Sequence, residues 1–323
     1  MMTPRRAFAL SLLSGQALAG LYPLLSVDNH TCALNTPLLS CSDGAQPGLV
    51  DTCCVETYGG LILQTQFWNT YTGLESEGQL LPEDSWTIHG LWPDFCNGSY
   101  TQYCDLSRQY DPEPAPNTTN GLPDGTPVAP WTGEPISDFI EQFGRYDLLA
   151  YMKKFWTGLN QPSYYLWAHE YSKHATCYST FDIECYGPQY VEHSEVVDFF
   201  ETVVSYYQNL PTWGWLSAKG IRPSNTTSYS LSEIQGALTD GFGKLPYLGC
   251  TGPKYNETDA GKGSSDAGYT IFDEAWYYYH VYGKVQRAQP VPVHANISGG
   301  SVTSCAKAPN SIWYYERTPS SVA

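Results

Sequence analysis

Trp86-Thr87-Ile88-His89-Gly90-Leu91-Trp92-Pro93-Asp94 is the stretch from which the fold is read. Residues 86–91 are mostly apolar and β-prone, which predicts a short strand carrying a histidine. Upstream, Leu61-Ile62-Leu63-Gln64-Thr65-Gln66-Phe67-Trp68 follows Gly59-Gly60 and reads as a buried strand. Downstream the period changes. Ile136, Phe139, Ile140 and Phe143 share one helical face; Val196, Val197, Phe200, Val203, Val204 and Tyr207 share another, starting after Ser194. Ser230-Leu231-Ser232-Glu233 has the form of a capping box before a third, shorter helix. Residues 274–286 return to strand-like alternation. Strands, then helices, then strands predict an α+β fold, a central antiparallel sheet flanked by helices. Between these elements, residues 20–55 read as a loop containing Cys and Pro. Residues 111–133, dense in Pro, Asn, Gly and Thr, read as an exposed loop with no function assigned. No internal repeat interrupts the pattern, and residues 20–323 are expected to form one domain.

The ends and the cysteines speak for an export route. Arg5 and Arg6 precede a mostly apolar run over residues 7–19, which ends in Ala17-Leu18-Ala19. That is the form of a signal peptide over residues 1–19, with a mature chain beginning near Gly20. The run is shorter than the ~20 residues a membrane span needs, and no second apolar stretch is long enough, so no membrane association is expected. All 10 cysteines lie after residue 19: Cys32, Cys41, Cys53, Cys54, Cys96, Cys104, Cys177, Cys185, Cys250 and Cys305. An even number in an oxidising compartment reads as five disulfides. The absence of a C-x-x-C pair argues against a metal cluster, and no metal or cofactor is expected. Sequons at Asn29, Asn97, Asn117, Asn225, Asn256 and Asn296 mark candidate glycosylation sites. The expectation is a secreted or vacuolar glycoprotein, monomeric.

The net charge is −16, from 32 acidic and 16 basic residues. A polyanion-binding protein ordinarily carries a basic face, so at neutral pH this charge argues against nucleic acid as a partner. Below about pH 5 the argument weakens, because carboxylates begin to protonate and histidines are charged. Acidic working conditions are implied.

A second segment completes the chemistry: Leu166-Trp167-Ala168-His169-Glu170-Tyr171-Ser172-Lys173-His174-Ala175-Thr176-Cys177. With residues 86–94 it holds three of the seven histidines, with a carboxylate and a lysine between the second and third. Cleaving RNA without a metal asks for a base to take the 2′-hydroxyl proton and an acid to protonate the departing 5′-oxygen. It also asks for positive groups to meet the charge on the phosphoryl oxygens. Histidine suits both proton transfers at mildly acidic pH. A zinc metalloprotease reading competes, because His169-Glu170 is followed by His174. That motif, however, needs its histidines at i and i+4, about 40° apart on a helix. An i,i+5 pair lies about 140° apart and does not easily grip one ion.

His89-Gly90-Leu91-Trp92-Pro93 and the run from Trp167 through His169 and His174 to Cys177 resemble the two active-site segments of the ribonuclease T2 family. That family comprises acid endoribonucleases of the secretory and vacuolar routes, and the chain looks like its fungal branch. The resemblance implies that His174 is the general base, His89 the general acid and His169 a phosphate-holding histidine. It implies that Glu170 and Lys173 assist transition-state stabilisation, and that Trp92, Asp94 and Tyr100 form a base pocket. Rings that stack on a base and a carboxylate that accepts from an amine suit that pocket, adenine in particular. The fungal scheme also implies the disulfides Cys32–Cys54, Cys41–Cys96, Cys53–Cys185, Cys104–Cys177 and Cys250–Cys305. A second base site in relatives uses a glutamine where Phe67 stands here, with Gln64 and Gln66 nearby, and it is left unassigned. Asn97 lies between Asp94 and Tyr100, where a glycan would crowd the pocket. His30, His193, His280 and His294 have no supporting partners and read as structural or solvated.

The expected activity is endonucleolytic cleavage of single-stranded RNA through a 2′,3′-cyclic phosphate, with low base specificity. The alternative is an inactive secreted glycoprotein on the same scaffold, binding RNA or an actin-like or cell-surface partner. Presence of all five residues His89, His169, Glu170, Lys173 and His174 argues against it.

Overall fold

The computed structural model describes residues 31–34, 36–252, 268–287 and 290–323. The expected signal peptide, Asn29, His30 and Asn256 lie outside the described residues. In chain order the elements are β1 (Leu61–Phe67), β2 (Thr87–Asp94), α1 (Ile136–Gln142), α2 (Tyr146–Phe155), α3 (Ser163–His174), α4 (Ser194–Gln208) and α5 (Thr212–Ala218). Then follow β3 (Ser228–Tyr229), α6 (Leu231–Phe242), β4 (Tyr247–Thr251), β5 (Thr270–Val281), β6 (Pro290–Val293) and β7 (Ile312–Trp313). The strands form one sheet in the order β2-β1-β5-β7-β3, with β4 and β6 also pairing with β5. Among the described residues, every pairing between these strands is antiparallel except the short parallel contact of β5 with β7. The α+β class and the flanking helices are as the sequence predicts.

Period-2 alternation divides the sheet into two working faces. Ile62, Ala275, Tyr277 and Tyr279 pack with Phe139, Leu149, Trp167, Phe199, Phe200 and Leu238 of the helices. Leu61, Leu63 and Tyr278 face the other way, with Trp92, Tyr247 and Trp276 beside them. The helix face holds most of the core; the opposite face, short of aliphatic cover, carries a cavity. Gln64 and Gln66 are fully buried on the helix side. Gln66 bonds Gln64, the Leu210 carbonyl and Thr212, so both glutamines tie β1 to the α4–α5 corner.

The α6 capping box forms as read, with Glu233 reaching back to the Ser230 N–H. α3 is different. It begins after Pro162, and Leu166, Trp167, Ala168, Glu170, Tyr171, Ser172 and His174 are all buried. A helix enclosed on several sides shows no single apolar stripe, and here its buried set includes polar residues. Five disulfides, Cys32–Cys54, Cys41–Cys96, Cys53–Cys185, Cys104–Cys177 and Cys250–Cys305, are the pairs the resemblance implies. Beside Cys53–Cys185, the buried Glu56 carboxylate accepts from the N–H groups of Tyr58, Gly59, Ser179 and Thr180 and from the Ser179 and Thr180 hydroxyls. It pins the approach to β1 onto the segment that follows α3.

Candidate active site

The site is built where β2 meets α3. Along β2 the register skips: Thr65 pairs with Gly90 and Gln66 with Ile88, so His89 is the extra residue of a β-bulge. A bulge re-aims side chains. Ile88 and Leu91, three residues apart, both enter the helix-side core, while His89 and Trp92 both face the cavity. Strict alternation forbids that arrangement. Gly90 makes it possible at close range, since a Cβ there would lie 1.8 Å from Glu170 Oε2.

Glu170, fully buried on α3, is the hub. Its Oε2 accepts the Trp92 indole N–H at 2.7 Å and lies 4.0 Å from His174 Nε2; its Oε1 lies 3.4 Å from His89 Nε2. One carboxylate therefore faces one histidine at each oxygen, where low polarisability of the surroundings strengthens the attraction. Trp92 stacks on His174 with ring centres 5.1 Å apart, and its edge meets His89. One indole face and the indole N–H are thus engaged within the protein. Burial, reinforced by Lys173, His169 and His89, holds His174 well below the ordinary histidine value of 6.5. A neutral imidazole in mild acid can accept a proton.

His169 lies five residues before His174 on α3. Its Nδ1 is 2.8 Å from Asp111 Oδ2, which also accepts the Tyr103 hydroxyl at 3.0 Å. The carboxylate accepts, so His169 carries a proton on Nδ1 and turns Nε2 outward. Lys173 Nζ stands 3.5 Å from that Nε2. Burial lowers the Lys173 ammonium from its usual 10.5, opposed by Glu170 and Asp111. The His169 and His174 rings are 6.5 Å apart, near enough to share one phosphodiester.

One cavity of about 700 Å³ is lined by all eight residues singled out for catalysis and base binding: His89, Trp92, Asp94, Tyr100, His169, Glu170, Lys173 and His174. Asp94 pairs with Tyr100 through the backbone, and Tyr100 is 71% exposed at the rim. Burial pushes the Asp94 carboxyl up to about 7. Below that pH it carries a proton and offers a donor beside an acceptor. Tyr247, Trp276 and Tyr278 line the cavity on the sheet side, and Gln102, Pro116 and Asn120 on the other.

Three contributors escape a sequence reading. Asp111 opens a segment that reads as plain loop, yet it is buried against His169. Tyr103 is one more tyrosine among 26. Glu274, whose carboxylate lies 3.1 Å from His89 Nδ1, begins the final strand-like stretch with nothing nearby to mark it. The remaining histidines among the described residues are elsewhere: His193 stacks on Phe139, His280 is half-buried on β5, and His294 Nδ1 accepts the Leu245 N–H. Asn97, Asn117, Asn225 and Asn296 are exposed.

Comparison with known proteins agrees with this geometry. The model of the ribonuclease T2 family matches residues 59–262. The chain is 37% identical over 286 residues to ribonuclease Trv of Hypocrea rufa, covering 88% of this chain and 98% of that one. It is 37% identical over 276 residues to ribonuclease Le2 of Lentinula edodes, covering 84% and 94%. The crystal structure of Actibind, described as a T2 ribonuclease, superposes with a TM-score of 0.64 at 31% identity, covering 90% of this chain and 97% of that one. The chain belongs to the ribonuclease T2 family and is a T2-type endoribonuclease.

Proposed function

We propose that the chain cleaves single-stranded RNA by histidine acid–base transphosphorylation. His174 takes the proton of the ribose 2′-hydroxyl as the 2′-oxygen bonds to phosphorus. The P–O5′ bond breaks, and His89 gives its proton to the leaving 5′-oxygen. The products are a 2′,3′-cyclic phosphate and a free 5′-hydroxyl. Protonated His169, through its Nε2–H, and Lys173 meet the negative charge on the phosphoryl oxygens, and Glu170 stabilises whichever catalytic histidine is charged. The observation that carries this reading is the buried Glu170 carboxylate with His89 at one oxygen and His174 at the other. The lowered basicity of His174 supports its role as the base.

The base pocket of Trp92, Asp94 and Tyr100 is read as selecting mildly for adenine. A protonated Asp94 accepts from the 6-amino group and donates to a neighbouring ring nitrogen, while Tyr100 stacks. Secretion or vacuolar delivery, with glycans at exposed sequons, completes the proposal. A DNA strand holding a single ribonucleotide tests the mechanism: cleavage is expected only 3′ of that ribose. Comparable cutting of all-DNA strands would refute it, since DNA has no 2′-hydroxyl to attack.

A further inference from the structure

His89 has a second carboxylate. Glu274 Oε1 on β5 lies 3.1 Å from His89 Nδ1, on the side of the ring away from Glu170. Three features hold this pair in place. Phe67 on β1 is the register partner of Glu274, and its ring stacks on His89 at 3.7 Å and 20°, so it fixes the imidazole plane between the two strands. The other Glu274 oxygen accepts the Trp276 indole N–H at 3.0 Å. Gly249 on β4 leaves room for it, as a Cβ there would lie 2.6 Å from Glu274 Cβ and 3.0 Å from Oε2. The pairing of β4 with β5 also skips a residue, Asp273, between Glu274 and Phe272, so a bulge adjoins Glu274, while His89 is itself the extra residue of the bulge on β2. Glu274 does not line the substrate cavity. His89 Nδ1 is buried, and no hydrogen bond in line reaches it in the resting arrangement. A small rotation of the ring would convert the 3.1 Å contact into one, as catalytic hydrogen bonds tighten when substrate binds.

We propose that Glu274 is the positioning residue for His89: it holds the Nδ1 proton, so that the proton delivered to the leaving oxygen is the one on Nε2. The partner of one imidazole nitrogen sets the state of the other. Glu170, facing Nε2, then yields that position to the O5′ atom. This rests on the reading of His89 as general acid.

The test uses Glu274→Gln, His89→Phe and the double variant on two substrates. One is a dinucleoside phosphate, whose leaving 5′-oxygen needs a proton. The other is a ribonucleoside 3′-(4-nitrophenyl phosphate), whose leaving group departs as a stable phenolate. Glu274→Gln is expected to lower kcat on the dinucleotide by roughly tenfold to a hundredfold, the worth of a hydrogen bond to a charged group. The aryl ester should change less than about twofold, and Glu274→Gln should add nothing to His89→Phe. Equal losses on both substrates, additive losses, or no loss would overturn the proposal. If His89→Phe alone slows both substrates equally, the acid assignment itself fails, and the proposal with it. A nitrogen-15 NMR spectrum of the unaltered protein is independent of variant folding. Neutral His89 should be the Nδ1–H tautomer; the Nε2–H tautomer would contradict the inference.

Discussion

Glu170 has no exposed surface, yet His89, His174 and the Trp92 N–H all converge on it. Its neighbours divide the labour by environment. His174, held below 6.5 by burial and by adjacent positive groups, stays neutral in mild acid. A base must be unprotonated, so kcat/KM should rise with pH along a limb centred below 6.5. A rising limb at or above 6.5 in a pH–rate profile would contradict the assignment. His89→Phe and His174→Phe should each lower RNA cleavage by about 10²–10⁴-fold, the usual worth of a placed acid or base. Either variant retaining a third of wild-type kcat would refute its role. Asp111→Asn should cost roughly tenfold in kcat/KM, because the amide no longer holds His169 through a charged acceptor. Unchanged kinetics would show that the 2.8 Å contact does not orient His169.

At the scale of elements, the bulge on β2 and the enclosure of α3 do most to form the site. Gly90→Ala would drive a methyl into the Glu170 carboxylate and force β2 and α3 apart. Activity loss with a melting decrease of at least about 2 kcal/mol equivalent is expected, on the scale of an overpacked core; wild-type behaviour would mean the strand slides freely. Glu56→Ala should destabilise by about 3 kcal/mol or more, since it strands several buried donors at once; a denaturation midpoint within error of wild type would contradict that. These elements also show what sequence could tell. β1, β2, β5, α1, α4 and α6 were legible, because the strands are runs of β-prone residues and the helices have clean apolar periods or explicit caps. α3 was not legible as a helix from periodicity, since its buried positions include Glu170, Ser172 and His174. The site residues on it were readable by type and spacing instead. Asp111 and Glu274 were invisible because their partners are 58 and 185 positions away, a proximity only the fold creates.

For the whole molecule, acidity organises both stability and charge. Burial raises Asp94, Asp198 and Asp273 to about 7 and Asp182 to about 6. Groups raised this way favour the fold most below their unfolded value near 3.8, and that advantage is lost as pH rises through 6 to 7. Asp105 and Asp147, held low by hydrogen bonds and by Arg108 and Arg145, work in the opposite sense and lose their contribution in strong acid. His174 and His280, also lowered, oppose folding below 6.5 but are two groups against four. The net charge of −16 adds self-repulsion at neutral pH. Tm should therefore be higher at pH 5 than at pH 8, as read by calorimetry; the reverse order would contradict these shifts. The central claim is tested most directly by incubating a short single-stranded RNA with the protein at pH 5 in excess EDTA and resolving the product ends. The account predicts 2′,3′-cyclic phosphates and 5′-hydroxyls at an undiminished rate. Cleavage that stops with the chelator, or that leaves 5′-phosphates, would contradict it.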